Sequence, residues 1–218
     1  MNILFDLDGT LTDSSDGITR CIQHALTELG HPAPPKEELF ACIGPPLIHS
    51  FLNRLGVKEE KDALRAVAIY RERYTRIGCF ENRLYPNIEE ILEELKSAGH
   101  QLFVATAKPQ PQVAPILDHF QIISFFSGIY GAHPDGRHTD KTELIASIIE
   151  REQIDPKNTV MIGDREYDML GARNNRVGAI GANYGYGSAQ ELKKSGAQYL
   201  VENAGDIPAC IAGLNLPL

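Results

Sequence analysis

The sequence predicts an α/β fold: a doubly wound parallel sheet with an all-helical domain inserted after its first strand. Three observations predict it. From about residue 85 onward, short apolar runs alternate with amphipathic segments, as strands and helices do around a parallel sheet. The opening run, Asn2 to Phe5, is of the same apolar kind. Between that run and residue 85 the alternation stops, and only helical periodicity is left.

Taken in order, Asn2 to Phe5 reads as a fully buried strand. Asp6 and Asp8 follow two residues apart, so in extended backbone their carboxylates face the same way. Gly9 and Thr10 then supply a turn. Asp13, Ser14 and Ser15 offer N-caps for a helix reaching Leu29, whose stripe is Ile18, Ile22, Ala25, Leu26 and Leu29. Gly30 ends it, and His31 to Pro35 is a proline-rich break. Short helices are expected over Glu37 to Cys42 and Pro46 to Leu55. A long one follows from Glu59 to Ile77, with Leu64, Val67, Ala68, Arg71 and Tyr74 on or near its inner face and Gly78 as its stop.

The second half begins with an amphipathic helix, Asn87 to Ala98, carrying Ile88, Ile91, Leu92 and Leu95. A strand from Gln101 to Ala105 leads into Thr106-Ala107-Lys108, a helix spans Gln112 to Phe120, and Phe125 to Tyr130 includes a short strand. The loop from Gly131 to Asp140 is rich in turn formers, with Asp135-Gly136 at its tip. A helix from Lys141 to Glu152 precedes the buried strand Thr159 to Ile162, which Gly163-Asp164 closes. Then come a helix from Glu166 to Asn174, strands at Val177 to Gly181 and Gln198 to Val201 around a helix at Ser188 to Lys194, and a last helix from Asp206 to Ala212. The expected division is a core of residues 1–14 and 82–218 and a helical domain of residues 15–81.

Composition narrows the function. A net charge of -8 over 218 residues, with no basic stripe, argues against a nucleic-acid polymer as partner. The four cysteines have no metal-site or disulfide spacing and read as reduced thiols. No apolar run is long enough for a membrane span, and a strand starting at residue 2 leaves no place for a signal peptide. A soluble, cytoplasmic protein is expected.

Ligands of open parallel sheets bind beyond the carboxyl ends of the strands, where the strand order switches. Asp6 and Asp8 end the first strand here, Thr106 the second and Asp164 the fourth, while Lys141 opens a helix and adds a cation. Two carboxylates crowded beside a buried strand need a cation, or one must hold a proton. A metal ion with phosphate chemistry answers that need; a polar turn capping a strand is the plainer alternative. His133 and His138 lack partners at ligand spacing and read as loop polarity. Lys108 reads as a surface residue beside the site, and Asp164 could also cap the helix after it.

The stretches Asp6-Leu7-Asp8-Gly9-Thr10, Thr106, Lys141 and Gly163-Asp164 with Asp168 appear in the order of the four motifs of the haloacid dehalogenase superfamily. The chain resembles that family along its whole length, and most of all its phosphoglycolate phosphatase-like and 5′-nucleotidase-like branch. Ile43-Gly44-Pro45-Pro46-Leu47, Arg165-Glu166-Tyr167 and Tyr184-Gly185-Tyr186-Gly187 carry the closer likeness. The resemblance implies a Rossmann-like core, with residues 15–81 as a cap domain that closes over the site. It implies Asp6 as the nucleophile that forms an aspartyl-phosphate, and Asp8 as the acid and then the base. It implies Mg2+ held by Asp6, the Asp8 carbonyl and Asp164. Thr106 and Lys141 would hold phosphate oxygens, aided by the backbone around Leu7, Gly9, Thr10 and Ala107, and Asp168 would orient Lys141 or a metal-bound water. Ala107 departs from the Asn or Ser that often follows the second motif's Thr.

The substrate implied is a small phosphorylated metabolite, phosphoglycolate or a nucleoside monophosphate. A sugar phosphomutase would use the same core with substrate, not water, as acceptor. A phospho-accepting binding module would also place aspartates, a threonine and a lysine on a parallel sheet, but without a large helical insertion.

Overall fold

In the computed structural model, residues 1–133 and 137–214 are described, and the Asp135-Gly136 tip lies outside them. The chain divides into two units, Met1–Thr12 with Leu84–Leu218, and Asp13–Arg83.

The first unit is built on a parallel sheet. Its strands are β1 (Asn2–Phe5), β4 (Gln101–Pro109), β5 (Gly128–Ala132), β6 (Thr159–Gly163), β7 (Gly178–Ala182) and β8 (Tyr199–Val201), in the order β5-β4-β1-β6-β7-β8. Each neighbouring pair is parallel; Leu4 is opposite Phe103 on one side and Met161 on the other. From β1 the chain builds outward first through β4 and β5, then through β6, β7 and β8. The order therefore switches between β1 and β6, where side loops diverge and leave room for a ligand. β1, β6 and β7 are buried along their whole length, as apolar strands covered on both faces must be.

The strands numbered between these, β2 (Thr12–Asp13) and β3 (Arg83–Leu84), are two residues each and lie where the chain passes between the units. The helices of the first unit are α4 (Ile88–Ser97), α5 (Gln110–His119), α6 (Lys141–Glu152), α7 (Glu166–Asn174), α8 (Ala189–Ser195) and α9 (Ile207–Ala212). Leu144, Ile145 and Ile148 of α6 and Met169 and Ala172 of α7 pack with Leu4, Phe103 and Met161 in one core. α6 starts cleanly because the Asp140 side chain accepts hydrogen bonds from the Thr142 and Glu143 amides.

The strand expected to stop at Ala105 runs on to Pro109, with a register shift against β5 between Ala105 and Pro109. An irregularity of this kind re-aims side chains at the end of a sheet. Thr106 therefore lies inside the strand and does not end it.

The second unit holds α1 (Ser15–Glu28), α2 (Leu47–Asn53) and α3 (Glu60–Arg73), a 3-10 segment at Lys36–Cys42 and a π-helical turn at Tyr74–Gly78. The α1 stripe is as expected in Ile18, Ile22, Ala25 and Leu26. On α3 the buried set is Ala63, Ala66, Val67 and Tyr70, and Leu64 is 55% exposed. Two small alanines bring α3 close to its neighbours, and the larger Leu64 turns outward. No helix among the described residues is long and apolar enough to cross a membrane.

Candidate active site

The first turn after β1 presents Asp6, whose amide donates to the Ile162 carbonyl of β6 at 2.9 Å. The Leu7 carbonyl accepts from the amides of Thr10, Leu11 and Thr12 at 3.3, 3.0 and 2.9 Å, which folds the chain back tightly. Gly9 makes that turn possible in two ways. Its φ is +89°, and a Cβ there would collide with the Asp164 carboxylate. Thr10 is fully buried, and its carbonyl accepts from the Tyr184 hydroxyl at 2.9 Å. Ala107 is exposed, whereas Thr106 and Lys108 on either side of it are buried.

Lys141, the first residue of α6, reaches three oxygens. Its Nζ lies 2.9 Å from Asp6 Oδ1 and 2.6 Å from Asp168 Oδ1, and it donates to the Ala105 carbonyl at 2.7 Å. The Ala105 carbonyl takes one of the three ammonium hydrogens, and the two carboxylates are held as ion pairs. Burial alone would lower its pKa, but the charges of Asp168 and Asp6 outweigh that and the net shift is upward. Asp168 also accepts from the Arg165 amide at 3.1 Å, with Arg165 at the N-cap of α7. The cap of α7 is thus Arg165, one residue after Asp164. Burial pushes the Asp168 carboxyl up, against the pull of Lys141.

Asp164 is fully buried. Its Oδ2 accepts from the Tyr186 amide at 2.8 Å, and its Oδ1 has no hydrogen-bond partner among the described residues. Burial first, and the charges of Asp6 and Asp168 next, push this carboxyl well above its ordinary value. Gly185 presses against it: a Cβ there would meet Asp164 Cβ and the Gly9 carbonyl. Oxygens of Asp6, Asp164 and Asp168 lie within 4.8 Å of one another. The Asp8 carboxylate stands apart from that trio, paired with Lys108 at 2.6 Å.

Four carboxylates therefore share this end of the sheet with two ammonium groups, and the unbalanced charge centres on Asp164. A hard divalent cation fits that position: the donors are all oxygen, and the Oδ1 atoms of Asp6, Asp164 and Asp168 are all buried without a hydrogen-bond partner among the described residues, those of Asp6 and Asp168 meeting Lys141 as ion pairs and that of Asp164 meeting no cation. Sequence reasoning brought Asp6, Thr106, Lys141, Asp164 and Asp168 to one end of the sheet, and the structure places them there. It misplaced Lys108, which is 8% exposed and not on the surface. The missed signal was the spacing of Thr106 and Lys108, two apart in extended chain, the same argument that pairs Asp6 with Asp8.

Carboxylates and lysines are thus gathered at the switch point of an open parallel sheet, the place where α/β proteins bind their ligands. The family model described as haloacid dehalogenase-like hydrolase matches residues 3–182. A 5′-nucleotidase of Pseudomonas aeruginosa is 46% identical over 192 residues, 88% of this chain and 86% of that protein. The tyrosine-protein kinase PtkA of Mycobacterium tuberculosis is 36% identical over 193 residues; these are 88% of this chain but only 65% of that protein. Among solved structures, a predicted phosphatase from Clostridium acetobutylicum superimposes with a TM-score of 0.91 at 39% identity, covering 98% of both chains. The chain belongs to the haloacid dehalogenase-like hydrolases, and its enzyme class is phosphatase.

Proposed function

We propose that the protein hydrolyses small phosphomonoesters through an aspartyl-phosphate on Asp6, with Mg2+ as its cofactor. One observation carries the reading: the buried trio of Asp6, Asp164 and Asp168, in which Asp164 Oδ1 has no partner. Asp6, Asp164 and the Asp8 carbonyl would hold the ion, which when bound offsets phosphate charge and draws electron density from phosphorus.

The chain's own groups supply the rest. Asp6 attacks phosphorus, so that one hard hydrolysis becomes two easier steps. Lys141 holds Asp6 in place and offers positive charge to the phosphoryl oxygens, and the Thr106 hydroxyl is a further donor to them. Asp8 gives a proton to the departing oxygen and later takes one from the water that frees Asp6. Asp168 holds Lys141 by its Oδ1 and α7 by its Oδ2. The helical unit, inserted in the chain straight after the aspartate turn, is on this reading the part that selects the leaving group.

The substrate class favoured is the nucleoside 5′-monophosphates, on the strength of the 46% identical relative; phosphoglycolate is the other small ester the motifs imply. The test is phosphate release with Mg2+ across nucleoside monophosphates, phosphoglycolate, sugar phosphates and pyrophosphate, with no bisphosphate activator. Release without activator separates hydrolase from mutase. An arm with ATP and a tyrosine-containing peptide tests the activity named for the mycobacterial relative. Asp6→Asn should lower turnover on the order of 10⁴-fold or more with the fold intact. Wild-type rates in that variant would end the nucleophile assignment.

A further inference from the structure

Burying an ammonium group is costly unless it is paired, and Lys108 is buried at the rim of a site that already has Lys141. The extension of β4 beyond Ala105 puts it there. Thr106 and Lys108 alternate with exposed Ala107, and the Lys108 amide donates to Thr106 Oγ1 at 3.2 Å, so the strand end is braced. Lys108 Nζ then meets Asp8 Oδ2 at 2.6 Å, with the two side chains 5% and 17% exposed. The other Asp8 oxygen, Oδ1, is buried and has no hydrogen-bond partner among the described residues.

We propose that Lys108 is a positioning residue for proton transfer: by pairing with Asp8 Oδ2 it fixes the rotation of the carboxyl group that exchanges a proton with substrate and water. The inference rests on the phosphatase reading and adds a residue to it. In the first half-reaction an Asp6 oxygen bonds to phosphorus and the ester P–O bond breaks. Its electron pair stays on the ester oxygen, which takes the proton from the Asp8 carboxyl. In the second, water bonds to phosphorus and gives a proton to the Asp8 carboxylate, and the Asp6–phosphorus bond breaks to return the carboxylate of Asp6. Without Lys108 the Asp8 carboxyl turns about its own axis, and either oxygen, or neither, faces the ester.

Leaving-group chemistry exposes this role. A nucleoside alkoxide cannot depart without a proton, whereas p-nitrophenolate can. Lys108→Met should lower kcat/KM for a nucleoside 5′-monophosphate on the order of 10²-fold, the scale of a misaligned proton donor, and for p-nitrophenyl phosphate by less than about threefold. Lys108→Arg should restore much of the loss, because the ion pair is kept. If Lys108→Met does not fold, Asp8→Asn/Lys108→Met leaves no unpaired carboxylate and should be no slower on the nucleotide than Asp8→Asn alone. Equal losses on both esters, a rise in KM alone, or additive losses in the double variant would overturn the role. With wild type hydrolysing both esters and Asp6→Asn neither, such a result strikes Lys108 only. Turnover by Asp6→Asn would remove the phosphatase reading and this role with it.

Discussion

Two sets of ion pairs in this chain treat charge in opposite ways. In the helical unit, Glu81 accepts from Arg73 at 2.7 and 3.2 Å and from Arg20 at 2.9 Å. Hydrogen bonds from Arg73 hold the Glu81 carboxyl below its ordinary value, and the same bonds raise Arg73. At the strand ends of the sheet unit the acids outnumber the bases, and a fully buried carboxylate oxygen is left over. A satisfied network supports a fold; a buried charge without a partner weakens it. The contrast locates function: the sheet unit keeps an arrangement that stability alone would remove, at the place where a cation and a phosphate can complete it.

Asp164→Asn should break the contrast most severely. Removing the unpaired charge should make the metal-free protein more resistant to urea, while turnover falls on the order of 10³-fold, the several kcal/mol that a bound cation supplies. Added MgCl2 should stabilise the wild type in the same titration and leave the variant unmoved. A wild type whose unfolding midpoint ignores MgCl2 would show that the site is not built for this ion.

Gly185→Ala sharpens the contrast without touching any charge. The new Cβ must push Asp164 or the Gly9 turn aside, at a cost of about 1–3 kcal/mol. The displaced carboxylate should also blunt the stabilisation by MgCl2, which a distant overpacking variant would not do. Chemical denaturation with and without the ion reads both effects.

Glu81→Gln, on the balanced side, should be the mildest, costing about 1 kcal/mol because the network is partly open to solvent. Turnover of the folded enzyme should not change. Since the Glu81 value is depressed, its contribution is complete above its ordinary 4.5 and fades as pH falls through the depressed value. Denaturation midpoints of wild type and variant should therefore converge in acid; a gap that persists there would mean Glu81 acts through packing.

The candidate site was legible where its residues stand in the chain beside something regular. Asp6 and Asp8 follow an apolar run, Asp164 follows another, and Lys141 comes straight after a capping aspartate. Lys108 was legible only in its two-residue spacing from Thr106, a signal that counts only if β4 continues past Ala105, and the register shift against β5 that accompanies that extension is not written in the sequence. The facing of α3 was misread for a related reason. Its apolar residues nearly encircle the helix, and only packing decided that alanines turn inward and Leu64 outward.

By itself the sequence determined the alternation of strand and helix, the interruption after the first strand, and which acids stand at strand ends. These follow from period and spacing, which are local. Which oxygen meets which ammonium was decided only by the folded chain. Lys141 takes Asp6 and Asp168, Lys108 takes Asp8, and Asp164 Oδ1 is left without a partner among the described residues. These pairings join residues from 27 to 135 positions apart, and side chains that distant acquire a distance only when the sheet closes around them.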